Sequence, residues 1–162
     1  MDQDDKSVAN RLFFRLFQAS NILQKQTVNA VGLTTVQWAV LGALSRSGYE
    51  EGIAFHDLTE YLVVSRQNLD GVLKRLEREG YVRRTPHPDD GRARLILLTP
   101  DGRDFWASIQ QKIRYFYTEG LKSMGFDETV SLLHYLNKLQ KDLEQIQPYP
   151  TEEGVENNVP QL

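Results

Sequence analysis

Apolar residues recur at three- and four-residue spacing near both ends of the chain, which is the pattern of an amphipathic helix. The first such stretch covers residues 5–29, and Gly32 follows it as a helix stop. Toward the other end, the pattern covers residues 100–123 and then, with Asp127 as a helix cap, residues 127–146. We therefore expect long helices on both sides of a shorter central region.

The central region carries the start and stop signals of three shorter helices. Residues 34–37 (TTVQ) form a capping box that opens a second helix, and Gly48 ends it. Because this helix is apolar on most sides, we expect it in the core. A short helix follows over residues 56–64, and Ser65 then caps a helix of about four turns, which Gly80 ends. The apolar stripe of this fourth helix consists of Leu69, Val72, Leu73 and Leu76.

Two short segments rich in β-branched and aromatic residues predict strands, at residues 81–85 (YVRRT) and 92–99 (RARLILLT). The sequence PHPDDG between them has turn chemistry, since two prolines stiffen it and Gly91 permits a positive φ. The two segments therefore predict a β-hairpin, with a further short strand at residues 53–55. Thr99, followed by a proline, is typical of the cap that opens the next helix.

A short helix, a tight turn and a longer helix, followed directly by a hairpin, form the pattern of a winged helix-turn-helix. The predicted fold is therefore mainly α with a small β-hairpin wing. We expect an N-terminal dimerisation helix at residues 1–33 and a winged helix-turn-helix DNA-binding domain at residues 34–100. C-terminal dimerisation helices would occupy residues 101–147, and residues 148–162 would be a flexible tail.

The first turn of the fourth helix has the side chains that suit base recognition. Arg66 can form two hydrogen bonds with guanine, and Gln67 and Asn68 can each pair with the edge of adenine. A charged wing tip can place Arg92 or Arg94 in the adjacent minor groove. Other residues nearby can reach phosphate groups or give the helix a small surface next to the DNA. The full set of candidate DNA contacts is Ser65, Arg66, Gln67, Asn68, Asp70, Gly71, Lys74, Arg84, Arg92 and Arg94.

The charge distribution also favours residues 65–94 as the part of the chain that binds DNA. The net charge is −3, which by itself argues mildly against nucleic-acid binding. However, residues 65–94 carry eight basic and five acidic side chains, so this window is positive within an acidic chain. The acidic remainder would keep other surfaces away from phosphates.

Cysteine content and hydropathy exclude several classes of protein. The chain has no cysteine, which excludes disulfides and thiolate metal sites. Apolar runs are too short to span a bilayer, and the acidic start MDQDDK does not suit a signal peptide. We therefore expect a cytoplasmic protein.

The run from Val64 to Gly102 resembles the signature of the MarR family of bacterial transcription regulators. The matching motifs are L-E-x-x-G at Leu76, Glu77 and Gly80, a basic strand at Arg83 and Arg84, D-x-R at Asp90 and Arg92, and L-T-x-x-G at Leu98, Thr99 and Gly102. LTTVQWAVLGAL is similar to the second helix of that family, and the resemblance covers about residues 8–146.

The resemblance implies a homodimer whose first and last helices interleave and whose two winged helices bind a palindromic operator in double-stranded DNA. The terminal helices also have more apolar surface than a small monomer is expected to bury. The interface is predicted at Leu12, Leu16, Ile109, Ile113, Phe116, Leu132, Leu136, Leu139 and Leu143. In the wing, the resemblance implies that Asp90 pairs with Arg92, or with a recognition-helix arginine, and so braces the tip.

Members of this family commonly release DNA when a small aromatic carboxylate or a similar anion binds. An effector site of this kind is predicted at Arg11, Phe14, Arg15 and Trp38, where an acyl-coenzyme A-like ligand is also considered. The alternative is that both arginines form salt bridges at the dimer interface or in solvent. The prediction is a repressor released by such an effector, not an enzyme, with no cofactor and no metal.

Two other functions are open at this point. The first is a ligand-binding or protein-interaction module with the same fold that no longer binds DNA, which the acidic charge would suit. The second is a metal-dependent hydrolase that uses His87, Asp89 and Asp90. Such a site needs further converging ligands, and the other histidines, His56 and His134, lie in distant segments.

Overall fold

The computed structural model describes residues 3–88, 90–91 and 93–148. Asp89, Arg92 and almost all of the predicted tail lie outside these residues. The chain divides into two compact units, Met1–Gly120 and Leu121–Leu162.

The described part of the first unit contains six helices and three strands, and the second contains one helix. In chain order these are α1 (Gln3–Val31), α2 (Thr35–Leu44), β1 (Ile53–Ala54), α3 (Phe55–Leu62), α4 (Arg66–Arg78), β2 (Val82–Pro86), β3 (Arg94–Leu98), α5 (Pro100–Ser108), α6 (Gln110–Gly120) and α7 (Phe126–Glu144). This order confirms the prediction of a mainly α fold with a hairpin after the fourth helix.

Local sequence signals fix most of the helix starts. The Thr34 hydroxyl accepts a hydrogen bond from the Gln37 N–H (3.2 Å), and the Gln37 side chain accepts one from the Thr34 N–H (3.0 Å). Ser65 and Thr99 accept hydrogen bonds from the backbone N–H groups three residues later, at the starts of α4 and α5. Gly32, with φ +87°, follows the end of α1. These four predicted boundaries are confirmed.

The predicted end of α2 at Gly48 is wrong. The helix ends at Leu44, and the Ser45 side chain donates a hydrogen bond to the Gly42 carbonyl (2.9 Å). Serine competes for backbone groups in this way and so favours helix ends over helix interiors. Gly48, with φ +92°, lies in the following turn.

The C-terminal helices also differ from the prediction. The stretch at 100–123 is divided at Ile109 and ends at Gly120, and Gln110 donates a side-chain hydrogen bond to the Trp106 carbonyl at the break (3.0 Å). The cap of α7 is Gly125 rather than Asp127, because the Glu128 side chain accepts a hydrogen bond from the Gly125 N–H (2.8 Å).

The three strands form one antiparallel sheet in the order β1-β3-β2. Val82 pairs with Leu98 and Pro86 with Arg94, which confirms the predicted hairpin. β1 has only two residues and pairs with β3, while Phe55, predicted in the strand, begins α3. The wing is therefore held at its base by a third strand that directly precedes the helix-turn-helix.

The core lies between α2, α4, the sheet and the α5–α6 segment. The Leu69, Leu73 and Leu76 side chains of α4 are fully buried, as the predicted stripe requires, and Val72 is half-buried. A Cβ at Gly102 of α5 would overlap the backbone carbonyl of Tyr81, so the helix can approach the hairpin this closely only with glycine.

Two of the predicted interface residues belong to this core. Ile109, at the junction of α5 and α6, and Ile113 of α6 are each only 4% exposed within the single chain, and α6 packs on α1. They therefore have almost no surface left for a partner, which disfavours their predicted place in a dimer interface. Phe116 and Leu16 are half-buried, whereas Leu12 is exposed.

None of the described helices is by itself both long and apolar enough to cross a membrane. Only α1 and α2 taken together have that length and composition, and they are bent by 69° relative to each other. Several residues of α2 are buried in the core described above.

Candidate nucleic-acid interface

The first turn of α4 is presented to solvent while the rest of the helix is anchored. Arg66, Gln67 and Asn68 are exposed, and Leu69 next to them is fully buried. The Arg66 guanidinium carbon lies 5.6 Å from the centre of the Phe55 ring, a distance at which a cation–π contact stabilises the side chain. Three polar side chains that can bind base edges therefore project from one rigid turn.

The Asp70 carboxylate, one turn further along α4, forms ion pairs with two cations of the protein itself. It lies 2.8 Å from Lys74 Nζ and 2.6 Å from Arg84 Nη1. Hydrogen bonds from Lys74 and Arg84 lower the pKa of the Asp70 carboxyl below its ordinary value. Gly71 is exposed, and a Cβ there would meet no neighbour, so α4 has a bare surface at this position.

Arg84 of β2 joins the hairpin to α4 and has few atoms left for DNA. Besides its bond to the Asp70 carboxylate, it donates one to the Asp70 carbonyl (3.3 Å). Its Nε lies 3.1 Å from Glu77 Oε2 but lacks hydrogen-bond geometry, so this contact is ionic. The side chain is 23% exposed. Arg84 therefore braces the wing, and its predicted contact with DNA stays a prediction.

The contact between Glu77 and Arg84 was not predicted, although the sequence contains a signal for it. Asp70, Lys74 and Glu77 are spaced by four and three residues, which places them along one face of a helix. Two carboxylates on one face, followed by a basic strand, are typical of a helix-to-strand ion-pair cluster. Lys74, predicted to reach phosphate, is 70% exposed and lies at the solvent end of this cluster.

The wing brings Arg94 toward the same surface. Arg94 is the first residue of β3 and is exposed. The loop before it closes through two backbone hydrogen bonds, from the Ala93 N–H to the Asp90 carbonyl (3.0 Å) and from the His87 N–H to the Ala93 carbonyl (3.2 Å). Arg92 lies outside the described residues, so the predicted pairing of Asp90 with Arg92 stays a prediction.

A groove of about 420 Å³ connects the start of α4 to the wing. Its lining residues are Ala54, Phe55, His56, Arg66, Arg84, Asp90, Ala93 and Arg94. The exposed guanidinium groups of Arg66 and Arg94, from two different elements, therefore border one concave surface. Such a surface can accept the edge of a polyanion, because phosphate oxygens can bind to both of its sides.

The histidines of the described residues do not form a metal-binding cluster with carboxylates. Within the described ranges, no three histidine, aspartate or glutamate side chains lie close enough together to hold a metal ion. His56 pairs with Glu60 on α3 (3.2 Å), and His134 packs against Tyr135 within the second unit. Asp89, which the hydrolase hypothesis requires, lies outside the described residues.

The residues of the predicted effector site are only partly together. Arg11, Phe14 and Arg15 are exposed on α1, and Arg15 donates a hydrogen bond to the Gln18 side chain (3.1 Å). Trp38 is half-buried on α2, and its ring centre lies 6.1 Å from that of Tyr117. Neither arginine makes a cation–π contact with Trp38 in the described part of the chain, and the site stays a prediction.

Comparison with known proteins agrees with this geometry. A family model described as MarR family matches residues 31–93, which include the helix-turn-helix and β2 but end just before β3. The transcriptional activatory protein BadR from Rhodopseudomonas palustris is 46% identical over 143 residues, which cover 86% of this chain and 82% of that protein.

Two solved structures share the fold at moderate identity. The PcaV transcriptional regulator from Streptomyces coelicolor, in complex with its natural ligand, has a TM-score of 0.69 at 25% identity. The match covers 83% of this chain and 92% of that protein. Reduced AbfR bound to DNA has a TM-score of 0.69 at 26% identity and is covered completely by 90% of this chain. With the exposed recognition turn and the adjacent wing, these likenesses establish that the chain belongs to the MarR family of transcriptional regulators.

Proposed function

We propose that the protein binds a palindromic operator as a homodimer and controls transcription in response to a small organic effector. The observation that carries the proposal is the surface shared by α4 and the wing. Arg66, Gln67 and Asn68 are exposed at the start of α4, and Arg94 borders the same groove. In a winged helix, this arrangement puts α4 in the major groove and the wing in the adjacent minor groove.

A homodimer is supported by the apolar surface that each unit leaves exposed. In α1, Leu12 is 52% and Phe17 is 62% exposed, and in α7, Leu132 and Leu136 are 42% and 39% exposed. Exposed apolar area of this extent is typical of an interface. Two copies related by a two-fold axis would present two α4 helices to two half-sites, which is why the operator would be a palindrome.

Salt-dependent binding tests this function. We expect a palindromic duplex to bind the dimer with an affinity that falls steeply and linearly on a logarithmic salt scale, because phosphate contacts release counterions. A random duplex of the same length should bind much more weakly at each salt concentration. Absence of binding to any duplex at low salt would contradict the proposal and favour a module that has lost DNA binding.

The sign of regulation has two candidates. The sequence predicts a repressor, whereas the relative at 46% identity is named a transcriptional activatory protein, which favours activation. A reporter promoter with the operator upstream of the polymerase site, measured with and without the protein, distinguishes them. Increased transcription supports activation, and decreased transcription supports repression.

The effector we propose is an aromatic carboxylate or its coenzyme A thioester. The exposed arginines of α1 and the half-buried Trp38 supply charge and an aromatic surface for such a ligand. A thermal-shift screen of aromatic acids and their thioesters tests this, because a ligand that binds the folded state raises the melting temperature. The proposed role places the protein in the cytoplasm, where the operator is.

A further inference from the structure

A second cavity, of about 290 Å³, lies on the winged helix, and it shares Ala54 with the groove beside α4. Its lining comes from the end of α2, the following turn, β1, α3, the loop after β2, and β3, and includes Arg46, Tyr49, Asp57, Tyr61 and His87. The volume is close to the lower end of about 300–1,000 Å³ for small-molecule pockets, so a ligand here would be small.

One wall of the cavity holds a cation in place. Arg46 Nη1 donates a hydrogen bond to the Tyr61 hydroxyl (2.8 Å), and its guanidinium carbon lies 5.8 Å from the centre of that ring. On the other side, the same carbon lies 6.0 Å from the centre of the Tyr49 ring. Two aromatic rings therefore orient the guanidinium, while its remaining N–H groups can still donate hydrogen bonds.

The cavity also contains an anion that does not neutralise this cation. Asp57 lies in the first turn of α3, where the helix dipole stabilises a carboxylate. Among the described residues, neither Asp57 nor Arg46 forms an ion pair, with each other or with a third group. A positive and a negative side chain thus border one cavity, each with capacity for a charged partner.

Apolar residues form the rest of the floor. Ile53 is buried, and Ala54 and Leu95 are half-buried beside it. Tyr49 and Tyr61 are 41% and 60% exposed, so their rings can lie against a bound molecule. A flat or branched apolar group would fit between the rings and this floor.

We propose that this cavity binds a small zwitterion, an α-amino acid with an apolar or aromatic side chain. The carboxylate would pair with Arg46, the ammonium with Asp57, and the side chain would lie on the aromatic and aliphatic surface. A simple organic anion would satisfy Arg46 but would leave the negative charge of Asp57 beside it. The site is distinct from the effector site predicted on α1 and α2.

A ligand here would contact both α3 and the base of the wing, and would therefore change operator affinity if it favoured one arrangement of these elements. This consequence rests on the proposed function, whereas the binding itself does not. Binding and operator affinity are therefore measured separately, so that failure of one is distinguishable from failure of the other.

Isothermal titration of the full chain with L-phenylalanine tests the site in the absence of DNA. We expect saturable binding at one site per chain, weakened about tenfold or more in Arg46→Gln and in Asp57→Asn, because each loses a charged hydrogen bond. Arg114→Gln, at an exposed position on α6, is the matched control and should bind like the parent. Circular dichroism melting should show that all three variants are folded.

Two matched ligands complete the test. We expect 3-phenylpropanoate, which lacks the ammonium group, and 2-phenylethylamine, which lacks the carboxylate, each to bind at least tenfold more weakly than L-phenylalanine. If 3-phenylpropanoate binds as tightly as the amino acid, the proposal that the ligand is a zwitterion is overturned. Loss of phenylalanine binding in Arg11→Gln but not in Arg46→Gln would assign the ligand to the α1 site instead, and no binding by the parent would also overturn the proposal.

Discussion

Asp70 is held between two cations from different elements, and its ionisation is therefore coupled to folding. Because Lys74 and Arg84 lower its pKa, the carboxylate stabilises the folded state fully above the ordinary aspartate value of about 4. That contribution is lost as the pH falls through the lowered folded-state pKa. The brace between α4 and β2 is consequently weakest in acid.

Asp70→Asn should therefore lower the melting temperature at neutral pH and have less effect in acid. The difference in melting temperature between variant and parent should be constant above about pH 5 and become progressively smaller below about pH 4. Calorimetric melting across pH 3 to 7 measures it. A difference that stays the same through the acid range would show that the ion pair does not contribute.

Arg66→Ala should weaken operator binding by about 1–3 kcal/mol and relax base preference at one position in each half-site. The reason is that its guanidinium lies on the exposed first turn of α4, where it can bind a base edge. Fluorescence anisotropy with single-base operator variants measures both effects. An equal loss for every duplex would make Arg66 a phosphate contact.

Arg94→Ala should weaken operator binding while leaving the melting temperature nearly unchanged, since the side chain is exposed. Arg84→Ala should instead lower the melting temperature, because Asp70 and Glu77 lose the cation that they share. Arg114→Ala serves as a control for arginine removal elsewhere. Operator affinity of Arg94→Ala equal to that of the parent would exclude it as a wing contact.

At the scale of elements, the packing of α5 against the hairpin depends on one glycine. Gly102→Ala should destabilise the protein by about 1–3 kcal/mol, because the added Cβ would overlap the Tyr81 carbonyl and force the two elements apart. Gly71→Ala is the matched control in α4. Its Cβ would meet open space, and the variant should be more stable by up to about 1 kcal/mol.

Urea unfolding of the two glycine variants measures these changes. Their opposite signs separate a contact effect from the general helix preference of alanine over glycine. Equal stabilisation of both variants would show that α5 can move away from the hairpin without cost.

For the whole molecule, the exposed apolar residues of α1 predict that a single substitution in this helix can dissociate the dimer. Leu12→Glu should shift the protein toward monomer in analytical ultracentrifugation, because a buried glutamate would lack a partner in an interface. Asn10→Glu, about 200° around the same helix, is the control and should keep the assembly state of the parent. A dimer unchanged by Leu12→Glu would place the interface elsewhere.

The features that depend on near neighbours along the chain could be predicted from the sequence. Helix periodicity, the caps at Thr34, Ser65 and Thr99, and the hairpin turn involve residues a few positions apart, so their patterns are visible in one chain. The combined motifs of α4 and the wing predicted the family, and the exposed turn of Arg66, Gln67 and Asn68 was predicted with them.

Contacts between side chains of different elements could be found only from the three-dimensional packing. Arg84 lies 14 residues from Asp70, and Tyr61 lies 15 residues from Arg46, so their bonds depend on how β2 packs on α4 and how the turn after α2 lies against α3. Ile113 has the same helical spacing as apolar residues that stay exposed, and it is buried where α6 packs on α1. Periodicity shows which face of a helix is apolar, whereas tertiary packing decides what covers it.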